Sequence, residues 1–234
     1  MEDERILKIL EKQLQNFWDI SDLNSKWMMK KVIEARKKTD KSFLASRNKY
    51  FLQDGFSVFN SVQYSVFLYY LSNLIGNDSS IPYGVMELDD GGWWGGGCYA
   101  DSIYYLNKIM NGVDWYWGIN LPEHFVAEHP IGTVLGRAQY GDYLCVYQGV
   151  TIGGNRRKNE ICYPIIGDYV TLYANSSVIG EATIGNKVVI AANTFIKDEA
   201  IPDNSIVFGS SPYLKIKRYS GSEMDKYISP IWEL

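Results

Sequence analysis

Histidine and cysteine are scarce in this chain of 234 residues, and positive charge is in deficit: there are two histidines, three cysteines and a net charge of −4. The negative balance and a pI near 5.3 give no overall field to draw nucleic acid or an anionic membrane, although local basic clusters remain open. Cys98, Cys145 and Cys162 are odd in number, widely spaced and without a C-x-x-C pair. That pattern argues against a disulfide framework or a structural zinc site and points to reduced thiols in a cytoplasmic protein. A long apolar run is also missing: "VFLYYLSNLIG", Val66 to Gly76, is too short to cross a bilayer and carries Ser72 and Asn73, so it reads as a buried helix. The opening "MEDERILKILEK" has neither the basic start nor the apolar stretch of a signal peptide.

What is present is an ordinary globular balance, 46% hydrophobic and 21% charged, divided into two halves with different periods. Residues 2–37 read as helix, with Ile6, Leu7, Leu10, Leu14, Phe17 and Trp18 on one apolar face. Ser21 and Asp22 offer a cap for a second helix that passes through Trp27, Met28 and Val32 and ends in the solvated basic run "EARKKTDKS". "FNSVQYSVFLYYLSNL" and "YADSIYYLNKIM" read as two further helices. Between them "ELDDGGWWGGGCY", residues 87–99, has no periodicity, and its glycines around Trp93 and Trp94 suit either a loop closing over a ligand or one packed on a neighbouring subunit.

From about residue 131 the period becomes six. Ile166, Leu172, Val178, Ile184, Ile190 and Ile196 fall six apart, and Tyr140, Val146 and Ile152 form a shorter run, with a five-residue step from Leu135 to Tyr140. Six is neither the helix nor the strand period, so it marks an internal repeat. Three short strands with three corners make a coil of 18 residues, and stacked coils bury the aliphatic residues as inward ladders, each worth roughly 1.5–3 kcal/mol. Glycine after several ladder residues, as in Ile166-Gly167 and Ile184-Gly185, supplies backbone angles a corner needs. The expected architecture from the period is a triangular parallel β-helix; the hexapeptide repeat resembles that of the left-handed β-helix family, which implies the left hand and a coil over residues 112–217, with an α-helical region over 1–111 before it and a tail over 218–234.

The stretches "EHPIGTVLGRAQYGDYLCVYQGVTIGGN" and "YPIIGDYVTLYANSSVIGEATIGNKVVIAANTFIKD" resemble the catalytic region of the hexapeptide-repeat serine acetyltransferases, over roughly residues 112–217. The resemblance implies an acetyl-CoA-dependent O-acetyltransferase, homotrimeric, with the trimer alone or paired as a dimer of trimers, with active sites between adjacent coils and no metal. It places His129 as general base, Asp114, fifteen residues earlier, as the carboxylate orienting it, and Glu128 facing the acceptor. An imidazole with a pKa near 6.5 suits the base's task, because an alcohol is a poor nucleophile near neutral pH. Gly153 and Gly154 would present a backbone N–H to the oxyanion. Acetyl-CoA would run along the coil past Ala174 and Ala192, with Lys197, Lys215, Lys217 and Arg218 near its phosphates.

The chain also departs from that family. Where the serine enzymes carry arginine-histidine-proline after the loop, this sequence has Cys162-Tyr163-Pro164, so a bidentate donor for an amino-acid carboxylate is replaced by a thiol. Trp115 and Trp117 flank Asp114, and indole faces suit the C–H faces of sugars. The leading expectation is therefore transfer of acetyl to a sugar hydroxyl, plausibly in a capsule or other surface polysaccharide. Glu128, Tyr163, His124, Trp115 and Trp117 are the candidate acceptor residues, His124 also being open to a packing role. Serine O-acetyltransferase and a catalytically inactive trimeric scaffold are the alternatives.

Overall fold

The computed structural model describes residues 2–18, 26–80, 99–157 and 160–234, and of residues 81–98 only the backbone of two short antiparallel strands, Met86–Glu87 and Trp93–Trp94. The cap expected at Ser21 and Asp22, Cys98, and the glycine-rich surroundings of Trp93 and Trp94 lie outside the described residues. Six helices are described: α1 (Glu2–Gln15), α2 (Lys26–Ala45), α3 (Lys49–Asp54), α4 (Ser61–Gly76), α5 (Tyr99–Asn111) and α6 (Gly221–Ile228).

The apolar stripe of α1 buries Ile6, Leu7, Leu10 and Leu14, whereas Phe17 lies beyond the helix and is half exposed. The basic run does not end α2 as expected but lies inside it, and its charges are spent on surface contacts: Arg36 on Glu2 and Asp40, and Lys41 on Glu123. Helix α4 is the centre of this half, buried without interruption from Gln63 to Ser72. Its polar groups stitch the helices to the start of the coil. Tyr69 Oη donates to the Ile119 carbonyl and accepts from the Leu121 N–H, both at 2.8 Å, while Asn73 Nδ2 donates to the Trp117 and Ile119 carbonyls. The Ser42 hydroxyl likewise bonds the backbone of Phe125.

The remainder is a left-handed parallel β-helix with three faces. The first face stacks Phe125–Glu128, Leu144–Tyr147, Thr171–Leu172, Val188–Ile190 and Ser205–Phe208. The second stacks Asp114–Trp115, Val134–Leu135, Thr151–Gly153, Ser177–Ile179 and Phe195–Lys197. The third stacks Gln139–Tyr140, Ile165–Ile166, Thr183–Ile184 and Ala200–Ile201. The six-residue ladder is what the registers pair: Val146 with Leu172 and Leu172 with Ile190, Ile152 with Val178 and Val178 with Ile196, Tyr140 with Ile166 and Ile166 with Ile184. All but Tyr140 are essentially removed from solvent. One corner carries a column of side chains in which Asp142, Asp168, Asn186 and Asp203 each accept a backbone N–H from the coil below.

Beyond the last coil the chain turns back. Lys215–Arg218 pairs antiparallel with Ser205–Phe208, and α6 opens on a capping box between Ser220 and Glu223. Met224 covers Val189 and Ile206 on the outside of the first face, and the fully buried Trp232 sets its edge on Tyr143. Hydrogen bonds from the Arg47 N–H to the Ile231 carbonyl and from the Glu233 N–H to the Ala45 carbonyl tie this tail to the loop after α2. The first face is therefore covered by helices at one end and by the tail at the other.

Candidate active site

His129 stands where the coil departs from its period. Glu128 lies opposite Tyr147 and Val134 opposite Thr151, so five residues fill the corner after Glu128 where three fill the next one up. The two extra residues push His129 outward in a left-handed backbone conformation, φ 49°, that side chains other than glycine disfavour. Its imidazole is exposed and has no hydrogen-bond partner among the described residues. Gly132 completes the corner at φ 77°, and Thr133 turns its hydroxyl back onto the Pro130 carbonyl.

The structure does not join Asp114 to His129 by a hydrogen bond. The last turns of α5 present Tyr104 and Lys108 on one face, four residues apart, directly over the first strand, and Asp114 accepts from the tyrosine hydroxyl at 2.5 Å and the lysine ammonium at 2.6 Å. Burial works to raise the Asp114 pKa, but these hydrogen bonds outweigh it and hold the carboxyl below its ordinary range.

Three expected acceptor residues serve packing instead. Trp115 alternates with Asp114 on its strand, so it points inward, where it is 1% exposed, stacks edge-on against Phe125 and donates to the Thr133 hydroxyl. Trp117 lies over Gly76, leaving no room for a Cβ there, and its indole N–H donates to Asp101, so it docks α4 and α5 onto the coil. His124 and His129 flank the strand Phe125–Glu128 and so belong to different corners. His124 is held by Asp142 at 2.8 Å and stacks on Tyr143, which stacks on Tyr169.

The chain leaves the coil after Gly153, makes an antiparallel hairpin of Asn155–Arg157 with Glu160–Cys162, and returns at Ile165. Arg157 pins the hairpin to Asp198 and Glu181 on the coil, so it is not free for an acceptor carboxylate. The hairpin folds Ile161 and Tyr163 over Gly154 so closely that a Cβ there would lie 2.8 Å from each. Gly154 is exposed and its N–H has no acceptor among the described residues, as an oxyanion donor requires, whereas the Gly153 carbonyl accepts from the Gly180 N–H. Ala174 and Ala192 occupy equivalent steps of the corner column above His129, and the Ala174 carbonyl is already taken by the Asn193 N–H. Lys197, Lys215 and Lys217 are exposed and make no ion pair among the described residues, Lys217 lying over the Phe208 ring. Burial pushes the Cys145 thiol well up, which removes it from nucleophilic chemistry.

Sequence reasoning missed the helical side of the site. A cleft of about 580 Å³ runs from His129 and Glu128 to Asn48, Tyr50, Asp54, Ser57, Phe59, Asn60 and Gln63. Glu128 accepts a hydrogen bond from Asn48 Nδ2 at 3.1 Å. Among the described lining residues there are amides, hydroxyls, two carboxylates and two aromatic rings, and no lysine or arginine.

Comparison with known proteins agrees with this architecture. Residues 163–198 match the family model described as bacterial transferase hexapeptide (six repeats). The chain carries that repeat on a serine acetyltransferase-like fold. It is similar to the serine acetyltransferases of Staphylococcus epidermidis, 31% identical, and Staphylococcus xylosus, 32% identical, each over 86 residues that make up 36% of this chain and 40% of the relative. The chain thus matches less than half the length of these curated relatives. The crystal structure of serine acetyltransferase from Neisseria gonorrhoeae superposes with a TM-score of 0.65 at 17% identity, covering 92% of this chain and 80% of that one.

Proposed function

We propose that this chain is a coenzyme A-dependent O-acetyltransferase that acetylates a sugar hydroxyl, as in a capsular or other surface polysaccharide. The observation that carries the reading is the cleft: an exposed, unpartnered imidazole beside amides, hydroxyls, carboxylates and two aromatic rings, with no cation among the described lining residues. Such a lining suits a neutral polyhydroxylated acceptor. An amino-acid carboxylate wants an arginine or lysine, and of the hairpin's two arginines Arg157 is committed to Asp198 and Glu181 while Arg156 does not line the cleft.

In this reading His129 removes the hydroxyl proton as the oxygen attacks the thioester carbonyl, the Gly154 N–H steadies the oxyanion, and collapse of the intermediate breaks the C–S bond, coenzyme A leaving as the thiol with the proton returned from His129. Asp114 stabilises the imidazolium. For Asp114 to turn to His129 its carboxylate must exchange the bonds it accepts from the Tyr104 hydroxyl and from Lys108, the latter an exposed ion pair of the kind worth less than about 1 kcal/mol. Lys197, Lys215 and Lys217 supply charge for the coenzyme's phosphates. A homotrimer is part of the proposal: the first face is covered, while the second exposes Val134, Phe195 and the corner residue Ile131. Free thiols at Cys145 and Cys162 fit a reducing, cytoplasmic setting.

Serine O-acetyltransferase is the second reading, favoured by the names of the relatives. Coenzyme A release with serine, measured against a panel of neutral and charged glycans, separates the two. Efficient turnover of serine with none of any glycan overturns the sugar assignment.

A further inference from the structure

We propose that Asn48 is a positioning residue for Glu128, and that through it the helical half fixes the acceptor carboxylate beside His129. The inference rests on the reading of the cleft as the acceptor site.

Asn48 is locked from both ends of its side chain. Its Oδ1 accepts the Phe51 N–H at 3.1 Å, capping α3, while its Nδ2 donates to Glu128 Oε1 at 3.1 Å. Turning the amide over would set an oxygen against the carboxylate and an NH₂ against a backbone N–H, so the network permits one orientation. The backbone is held as well. The Asn48 N–H donates to Ser46 Oγ, Ser46 bridges Trp232, and the Arg47 N–H donates to the Ile231 carbonyl at 2.8 Å. Glu128 is the last residue of its strand, next to the two-residue expansion that displaces His129, and its carboxylate has no other hydrogen bond among the described residues. A carboxylate on a long side chain at such an edge has several rotamers, and one charge-assisted hydrogen bond from a rigid donor selects among them. The strand brings Glu128 beside the base, and the helical domain decides where its oxygens point.

A merely structural reading makes Asn48 a helix cap and nothing more. Asn48→Asp and Asn48→Ser distinguish the two, because aspartate and serine cap as well as asparagine does, yet one sets a like charge against Glu128 and the other removes the donor. We expect the KM for the acceptor to rise about tenfold or more in both variants, as for loss of a hydrogen bond to a charged group. Turnover number and the KM for acetyl-CoA should stay within about threefold, on the reading that the acceptor contact acts on binding alone. In Asn48→Asp alone, the acid limb of the acceptor pH profile moves to higher pH, since two carboxylates at this distance share a proton.

A second readout needs no acceptor. The carboxyl ¹³C resonance that disappears in Glu128→Gln is assigned to Glu128, and its titration midpoint should be higher in Asn48→Asp than in the unmodified protein. An unchanged midpoint overturns the proposal, as does a loss shared equally by both substrates and accompanied by a lower melting temperature. Absence of turnover with every acceptor in the unmodified protein counts against the functional reading alone, because the resonance still decides the role of Asn48.

Discussion

Replacing His129 by glycine should stabilise the protein while stopping it. His129 holds φ 49° and its exposed imidazole touches no hydrogen-bond partner among the described residues, so the fold gains nothing polar from the side chain. A left-handed conformation costs an ordinary residue roughly 1–2 kcal/mol, which glycine does not suffer. Against this, glycine's freer unfolded chain costs about 0.5–1 kcal/mol. The difference favours the variant by about 0–1.5 kcal/mol, with a centre near about 0.7 kcal/mol, or about 1–3 °C in melting temperature at that centre for a chain of this size. Acetyl transfer, followed as coenzyme A release, should fall by at least about 10²-fold with loss of the general base. His129→Ala is the control: it keeps a Cβ in the strained conformation, so activity should fall equally without a gain in stability. Activity within tenfold of the unmodified enzyme would refute the assignment of the base. A fall of more than about 5 °C in the glycine variant would refute the account of the corner, since it requires supporting contacts that His129 does not make.

Gly154→Ala keeps the N–H but sets a methyl 2.8 Å from Ile161 and Tyr163, so the turn must shift and misaim the donor, and activity should fall by up to the roughly 10²–10³-fold of a lost oxyanion donor; circular dichroism should still report an intact coil. Trp232→Ala should cost about 3–5 kcal/mol through the cavity it leaves. Trp232→Phe should cost less than half as much, because the indole N–H has no partner among the described residues to lose, and paired melting curves measure both. The Asp142 carboxyl lies below its usual range: burial pushes it up, but the His124 ring and the backbone N–H groups of His124 and Tyr143 bind its charged form more strongly. A depressed folded pKa means stability that is present above about pH 4 and lost as pH falls through the folded value. Melting curves from pH 6 to 3 should therefore descend more steeply for the unmodified protein than for Asp142→Asn; parallel descents would remove Asp142 from the acid response.

The coil was legible because its physics repeats. Every inward position from Tyr140 to Ile196 meets the same requirement for an apolar side chain stacked on its neighbours, so the six-residue period survives in the sequence. The five-residue step from Leu135 to Tyr140 was equally readable, and it appears as a register of Leu135 on Ile152, 17 residues on rather than 18. Helix α6 carries a readable signal too, the capping box of Ser220-x-x-Glu223. The direction of the aromatic residues beside Asp114 is not legible for a different reason. A residue's type says that it can bind a sugar, and only the strand's alternation says which way it faces, which sends Trp115 into the core while Asp114 stays outside. The cleft residues lie at helix starts and in the short connection between them: Asn48 to Asp54 at and on α3, and Phe59 to Gln63 at the opening of α4, and nothing in those local patterns marks them as facing His129. They meet His129 only because α4 docks its tyrosines and Asn73 on the segment from Trp117 to Glu123.

The parts of the site that do chemistry lie where the repeat fails, and a physical reason connects the two. A regular coil gives each side chain one of two fates, buried in the ladder or spread on a flat face, and satisfies its backbone N–H groups on the coils above and below. Neither a converging imidazole nor a free N–H is available from such a surface. The two extra residues after Glu128 lift His129 off the corner, and the hairpin after Gly153 takes the Gly154 N–H out of the ladder and leaves it without an acceptor. The shortened step after Leu135 lies on the coil between them. Each departure costs regular hydrogen bonding or backbone comfort, and such local losses persist where the surrounding structure over-determines them. Here the constraint comes from the aliphatic ladder above, the docked helices on one side and Arg157 holding the hairpin on the other. A sequence in which the period was repaired at both places, by deleting two residues at 129–130 and the hairpin, should fold as a more regular coil and have no base and no oxyanion donor.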